Sequence, residues 1–291
     1  MEKDGSNAAM RFLYGNPAGR AAISAMMALR VPKLMAWYLR SPFSKGMIRR
    51  YIRKYNISMK GYPRIGYRSF SDFFERRKIK NRFDEVADHF ISPCDGHLSV
   101  YPIAEDSRFE IKGSTYRVCD LVPDDTLSAR FDGGLAMIFR LAPNDYHHYC
   151  FLDDGYVGKH HYIEGKLHSV QPVALASVPV FRLNRRVWTH LQTEHFGSVV
   201  QIEVGALAVG GIVNERENEP VKKGETMGHF SLMGSTIVVL VEKDRMELRS
   251  GITEAMSERA RAGQAAGKAP SIYGVEVPVK MGQWIGNKTA D

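Results

Sequence analysis

From about residue 91 onward the sequence is a succession of short β-rich runs: Leu98–Ile103, Leu135–Leu141, Val199–Val204, Ala208–Val213 and Thr236–Val241. Clusters of Gly, Pro, Asn and Asp separate them. Parallel neighbours would need long, usually helical, crossovers between the runs. No regular helical spacing is present, so the runs predict a mostly antiparallel sheet system. Upstream, residues 17–56 read as helical, broken at Pro32 and Pro42. Residues 69–80 read as a short helix with Ser69 or Ser71 as its N-cap, and 254–270 as a short helix and linker. The expected fold class is α+β, with N-terminal helices ahead of a β-rich core. A chain of 291 residues can bury such a core without covalent staples.

Charge is distributed unevenly. Residues 30–82 hold 16 Lys and Arg against two acids, Asp72 and Glu75, a net of +14 in a chain of net +8. Such a block attracts polyanions. No nucleic-acid recognition motif accompanies it, so nucleic acid is not expected as a partner. Met47, Ile48, Tyr51 and Ile52 alternate with Arg49, Arg50, Arg53 and Lys54, giving an amphipathic helix. Its apolar side suits either a lipid interface or the domain itself. The expected division is 1–82, a basic amphipathic helical region suited to docking on a membrane, and 83–291, a β-rich domain.

Three cysteines, Cys94, Cys119 and Cys150, do not make a disulfide framework or a zinc spacing, so no metal is expected. The longest stretch without charge is the 13 residues Ser169–Phe181, against the roughly 18 or more that a spanning helix needs. The first residues, Met1-Glu2-Lys3-Asp4-Gly5, lack the basic-then-apolar order of a signal peptide. The expected location is peripheral, on the cytoplasmic face of a membrane.

Four segments could carry chemistry. Ile91-Ser92-Pro93-Cys94-Asp95-Gly96-His97 places a carboxylate in a turn beside a strand, where such residues commonly only shape the turn. Pro143-Asn144-Asp145-Tyr146-His147-His148-Tyr149-Cys150 concentrates two imidazoles, a phenol and a thiol after an apolar strand. Val204-Gly205-Ala206 with Val209-Gly210 suggests close backbone approach, or simple tight packing. Gly234-Ser235-Thr236 by itself is an ordinary turn before a strand.

Taken in order, these segments resemble the phosphatidylserine decarboxylase family over roughly residues 10–290. Asp95 sits in a match to the family's Ser-Pro-x-Asp-Gly, and Pro143–His147 resembles its Pro-x-Asp-Tyr-His. Val204-Gly205-Ala206 resembles its Val-Gly-Ala, and Gly234-Ser235-Thr236 falls at its self-cleavage site. Ser71-Asp72-Phe73-Phe74-Glu75-Arg76 resembles the upstream Phe-Phe-x-Arg segment. Met281–Gly286 is similar to the tail of one bacterial branch.

The resemblance implies a pyruvoyl-dependent enzyme that converts phosphatidylserine to phosphatidylethanolamine. The peptide bond between Gly234 and Ser235 would break by attack of the Ser235 hydroxyl. The products would be a β chain, 1–234, and an α chain, 235–291, which begins with a pyruvoyl group made from Ser235 and pairs into the sheet of the longer chain. Loss of CO2 leaves an electron pair that needs a sink, and no standard side chain provides one. In the family a charge relay of Asp, His and Ser drives cleavage, so Asp95 would orient an imidazole and Ser235 would be the nucleophile. The usual relay imidazole position is occupied here by Cys150. His147 is the expected replacement base, with His148 second and a Cys150 thiolate third. The implied partners are an anionic phospholipid surface, phosphatidylserine and a second copy of the chain as a homodimer. Two alternatives stand beside this: a decarboxylase of another amino substrate, and a non-processed, membrane-binding homologue.

Overall fold

The computed structural model describes residues 12, 16–29, 31–63, 66–111, 114–166, 168, 179–205, 211–232, 235–262 and 271–290. Gly234, Ala206, Val209 and Gly210 of the motifs above lie outside the described residues. The helices are α1 (Pro17–Ala28), α2 (Val31–Arg40), α3 (Lys45–Tyr55), α4 (Phe70–Phe74), α5 (Val118–Leu121), α6 (Asp125–Ser128), α7 (Val180–Leu183) and α8 (Ser250–Ala262). The strands are β1 (His89–Ile91), β2 (Gly96–Pro102), β3 (Arg108–Ile111), β4 (Ser114–Arg117), β5 (Leu135–Leu141), β6 (His148–Cys150), β7 (Gly155–Ile163) and β8 (Arg186–Thr193). They continue with β9 (Ser198–Val204), β10 (Gly211–Asn214), β11 (Glu219–Val221), β12 (Thr226–Ser231), β13 (Ser235–Val241), β14 (Met246–Leu248), β15 (Val277–Val279) and β16 (Trp284–Lys288).

An eight-stranded sheet, ordered β11-β7-β8-β9-β13-β5-β2-β15, forms the centre. Two three-stranded sheets, β10-β12-β6 and β1-β16-β14, and the β3-β4 hairpin complete the set. Pairing between these strands is antiparallel throughout, as the turn-separated runs predict. This is the expected α+β fold.

The central strands are buried on both faces, which explains why they read as continuous apolar runs rather than an alternation. Along β13, Ile237, Val239 and Val241 point into one core and Val238 and Leu240 into the other. The neighbouring β5 divides in the same way, with Met137, Phe139 and Leu141 on one side and Ala136 and Ile138 on the other. The first core is closed by the β6-β12 layer, through Tyr149, Cys150, Met227 and Phe230, and by Ile252 and Met256 of α8. The second is closed by Phe109, Tyr116 and Phe181. A third, smaller cluster gathers Leu39, Ile57, Phe70, Phe73, Phe74 and Leu232.

The N-terminal helices follow the proline breaks. The amphipathic α3 turns Ile48, Tyr51, Ile52 and Tyr55 onto the third cluster, which leaves its cations in solvent. Its apolar stripe thus packs on the protein itself. The exposed apolar side chains of this region belong mainly to the preceding segment: Leu34, Trp37 and Phe43, the last two 69% and 84% exposed. Helix α4 is capped by Ser69, whose hydroxyl accepts from the Asp72 N–H at 3.2 Å. It stops at Phe74, short of the expected 80. Beyond it Arg76 leaves the helical path and lays its guanidinium over the rings of Phe73 and Tyr62. No helix among the described residues is long and apolar enough to cross a membrane.

One polar group interrupts the first core. Glu203 of β9 is fully buried and accepts from Gln201 Nε2 at 2.9 Å and Asn214 Nδ2 at 3.2 Å. Burial pushes its pKa up to about 7, against the pull of these two donors. The folded state therefore holds a proton that the unfolded chain releases above its ordinary value of 4.5. That stabilisation is complete below 4.5 and is lost as pH rises through about 7. Substitution Glu203→Gln is expected to flatten the fall in melting temperature across this interval, as read by thermal denaturation at a series of pH values.

Candidate active site

Strand β13 begins at Ser235, which pairs with Leu141 at the end of β5. The next row across the sheet joins Thr236 to Arg140 and Arg140 to His97 of β2. Asp95 therefore stands at the same end of the sheet as Ser235, with β5 between them. Strands lie about 4.8 Å apart, so two steps separate the backbones by roughly 10 Å. Gly96 is required here: a Cβ would meet the Arg140 carbonyl oxygen at 2.9 Å. From Leu141 the chain passes through residues 142–147 and re-enters a strand at His148.

His147 is 1% exposed and packs its ring against Phe74, with ring centroids 4.3 Å apart. Its Nδ1 lies 3.0 Å from the Asp145 carbonyl oxygen. A carbonyl only accepts, so Nδ1 carries the hydrogen and Nε2 carries the lone pair. Nε2 is buried and has no hydrogen-bond partner among the described residues. Burial pulls the imidazole down to about 3, so the ring is neutral at ordinary pH. The Asp145 carbonyl and the charge of Asp95 both favour the protonated ring, and Arg76 opposes it. The result is a neutral imidazole with its basic nitrogen held available.

Asp95 does not contact this ring. Its Oδ1 accepts from the Met281 backbone N–H at 2.9 Å and its Oδ2 from Lys280 Nζ at 3.2 Å. Lys78 adds a second cation at 3.7 Å. Lys280 also reaches Asp145 Oδ1 at 3.5 Å, while Asp145 Oδ2 accepts from the Ala142 N–H at 2.8 Å. Burial pulls the Lys280 ammonium down, but Asp95 and Asp145 outweigh it and the net shift is upward. The lysine is thus a charged bridge between the two acidic segments, and it fixes the loop whose carbonyl orients His147. The resemblance implies that Asp95 orients the imidazole; in the structure the Asp145 carbonyl does so.

The other two candidate bases are placed differently. His148 Nε2 faces the Glu75 carbonyl oxygen at 3.0 Å, and its ring stacks between Tyr146 and His229. Burial lowers it to about 4. Cys150 is buried in the first core, and burial pushes its thiol up to about 12. A thiol so placed is not ionised near neutral pH, which removes the expectation of a Cys150 thiolate base.

Sequence reasoning passed over Lys78, Lys280, Phe74 and the side chain of Asp145. Lys78 is one of 16 cations in its segment, and Lys280 lies 185 residues from its partner Asp95. Phe74, Arg76 and Lys78 also bring the site into the region assigned to 1–82, so the change in charge at 82 is not an edge of the site.

The family model described as phosphatidylserine decarboxylase matches residues 70–268. The chain belongs to the phosphatidylserine decarboxylase family. The phosphatidylserine decarboxylase proenzyme 2 of Clostridium acetobutylicum is 37% identical over 288 residues, 98% of this chain and 94% of that protein. A phosphatidylserine decarboxylase proenzyme of Clostridium botulinum is 37% identical over 227 residues, 76% of this chain and 72% of its own. One from Desulfitobacterium hafniense is 32% identical over 263 residues, 87% and 88% of the two chains. The family match begins at the first residue of α4. It thus takes in the short helix that packs against His147.

Proposed function

We propose that this chain decarboxylates phosphatidylserine to phosphatidylethanolamine, using a pyruvoyl group formed from Ser235 when the chain is cut between Gly234 and Ser235. The observation that carries this reading is the buried, neutral His147 with an unpartnered Nε2, on the loop that leaves the strand paired to Ser235. A pyruvoyl group fits the residues present, because forming one from serine calls for a base inside the fold and Nε2 is such a base. Once formed, the group supplies the electron sink that departure of CO2 requires.

In this reading Nε2 takes the proton of the Ser235 hydroxyl as the oxygen attacks the Gly234 carbonyl carbon and the acyl group passes from nitrogen to oxygen. The imidazolium that forms is stabilised where it sits, by the Asp145 carbonyl at Nδ1 and by the negative charge of Asp95. Loss of the Ser235 α-proton then releases the Gly234 carboxylate and separates the two chains, and the dehydroalanine left at 235 takes up water and loses ammonia to become the pyruvoyl end. The α chain stays in place because β13 remains laddered between β5 and β9. Lys280 and Met281, also of the α chain, hold Asp95 of the β chain.

The helical region gives this chemistry access to a bilayer. Leu34, Trp37 and Phe43 are exposed in the same short segment as the exposed cations Lys33, Arg40, Lys45, Arg49 and Arg50. Aromatic side chains set among cations suit an anionic lipid surface, where each cation contributes roughly 1 kcal/mol. Removing all of 17–56 would also remove Leu39 and the α3 face from the third core cluster, so point substitutions are the cleaner probe. Joint substitution Trp37→Ser and Phe43→Ser is expected to weaken binding to phosphatidylserine-containing vesicles about tenfold or more. Binding of the unaltered chain is expected to fall as salt rises, as read by vesicle sedimentation.

For the chemistry, a denaturing gel of the unaltered chain is expected to show fragments of 234 and 57 residues. Ser235→Ala leaves one chain and abolishes decarboxylation. His147→Asn slows cleavage about 100-fold or more, and Cys150→Ser cleaves normally. A His147→Asn chain that matures at the unaltered rate contradicts the assignment of the base.

A further inference from the structure

Beside the His147 loop is an open cleft of about 400 Å3, lined by Pro63, Tyr67, Asp72, Glu75, Arg76, Arg77, His148 and His229. That volume is within the range of small-ligand sites, roughly 300–1,000 Å3. Arg76 is the unusual member. It is only 5% exposed, and its guanidinium lies over the rings of Phe73 at 4.6 Å and Tyr62 at 4.9 Å. Its Nη1 donates to the Phe73 carbonyl oxygen at 3.2 Å, and among the described residues its Nε has no partner. Among the described residues no carboxylate comes within ion-pair distance of it.

The two carboxylates that line the cleft, Asp72 and Glu75, are not paired with Arg76 but are held by neutral donors. Arg77 is already paired with Glu215. Glu75 accepts from the Ser71 hydroxyl at 2.9 Å, and Asp72 from the Arg68 N–H at 2.7 Å. His148 and His229 are both held toward the neutral form by burial. A guanidinium stays charged in proteins, and a buried charge without a counter-ion is costly. Among the described residues Arg76 is left without a carboxylate partner, and an anion in the cleft would supply one.

We propose that this cleft is an oxyanion site anchored by Arg76, and that its occupant is the phosphodiester of a phospholipid headgroup. Identifying the occupant as a lipid headgroup rests on the function proposed above. Of the two anions in a phosphatidylserine headgroup, the carboxylate is the one that departs as CO2. A cation bound to it would stabilise the starting state and slow its loss, whereas the phosphodiester persists from substrate to product. An arginine that anchors the phosphodiester binds the headgroup at no cost to the chemical step. A fork of N–H donors over aromatic faces suits a phosphodiester.

The test is calorimetric titration of the full-length Ser235→Ala chain with glycerophosphoserine, inorganic phosphate and free serine. Glycerophosphoserine is expected to bind, and Arg76→Gln in the same chain to weaken it about 10- to 100-fold, with Arg76→Lys intermediate. Free serine is expected to bind at least tenfold more weakly than glycerophosphoserine. Inorganic phosphate binding as tightly as glycerophosphoserine would overturn the headgroup as occupant. Equal affinity for glycerophosphoserine with and without Arg76, in chains of equal melting temperature, overturns the oxyanion site itself. If Arg76→Gln fails to fold, Arg76→Lys carries the test, and unchanged affinity there overturns the site in the same way. The readout is binding to an uncut chain. An unaltered protein that failed to decarboxylate would therefore sink the proposed function and leave this result standing.

Discussion

The placement of β13 is the constraint on which the rest of this structure depends. It runs between β5 and β9 in the middle of the eight-stranded sheet, and Thr236–Val241 are paired on both sides and buried. A residue at the start of such a strand is fixed by backbone hydrogen bonds rather than by the chain that leads into it. A break just before Ser235 therefore leaves the sheet intact. The C-terminal segment adds a second attachment, since β15 pairs with β2 and β16 with β1 and β14. If the chain is cut there as proposed, the new end lies at the centre of the sheet, where the ladder retains it.

Around that point the electrostatics are set by burial and by one bridging lysine. A buried, unsatisfied nitrogen typically costs about 1–3 kcal/mol, and His147 Nε2 is retained in that state. Lys280 joins Asp95 to Asp145 and so holds the loop that fixes which nitrogen of His147 bears the hydrogen. Asp95 then acts on the imidazole through its charge rather than through a hydrogen bond. In the proposed mechanism the imidazole is oriented by main chain, so that mechanism needs no second imidazole at the position of Cys150.

Much of the scaffold was legible in the sequence. The run Leu135–Leu141 coincides with β5, and Thr236–Val241 with all but the first residue of β13, because short apolar runs bounded by turn residues have a strand's length and boundaries. Residues 69–80 were less legible. The sequence predicts that Arg76 and Lys78 continue the helix, but Arg76 lies on aromatic rings and Lys78 beside Asp95. The site divides in the same way. Asp95, His147 and Ser235 lie in short local motifs, and the structure brings their segments to one end of the sheet. The partners that set their chemistry, Lys280, Phe74 and the Asp145 carbonyl, depend on distant pairing or on backbone geometry, which no local pattern encodes. Cys150 shows the limit most plainly, since its identity suggests a base and its burial denies one.

The central claim is that His147 is a neutral imidazole with its hydrogen on Nδ1 and a free lone pair on Nε2. Nitrogen-15 NMR of the histidine-labelled Ser235→Ala chain, with His147 assigned by its own substitution, reads this directly. The account predicts a pyrrole-type Nδ1 and a pyridine-type Nε2 that persist well below pH 6.5, since burial has drawn the ring down to about 3. An imidazolium near neutral pH, or a hydrogen found on Nε2, would contradict it.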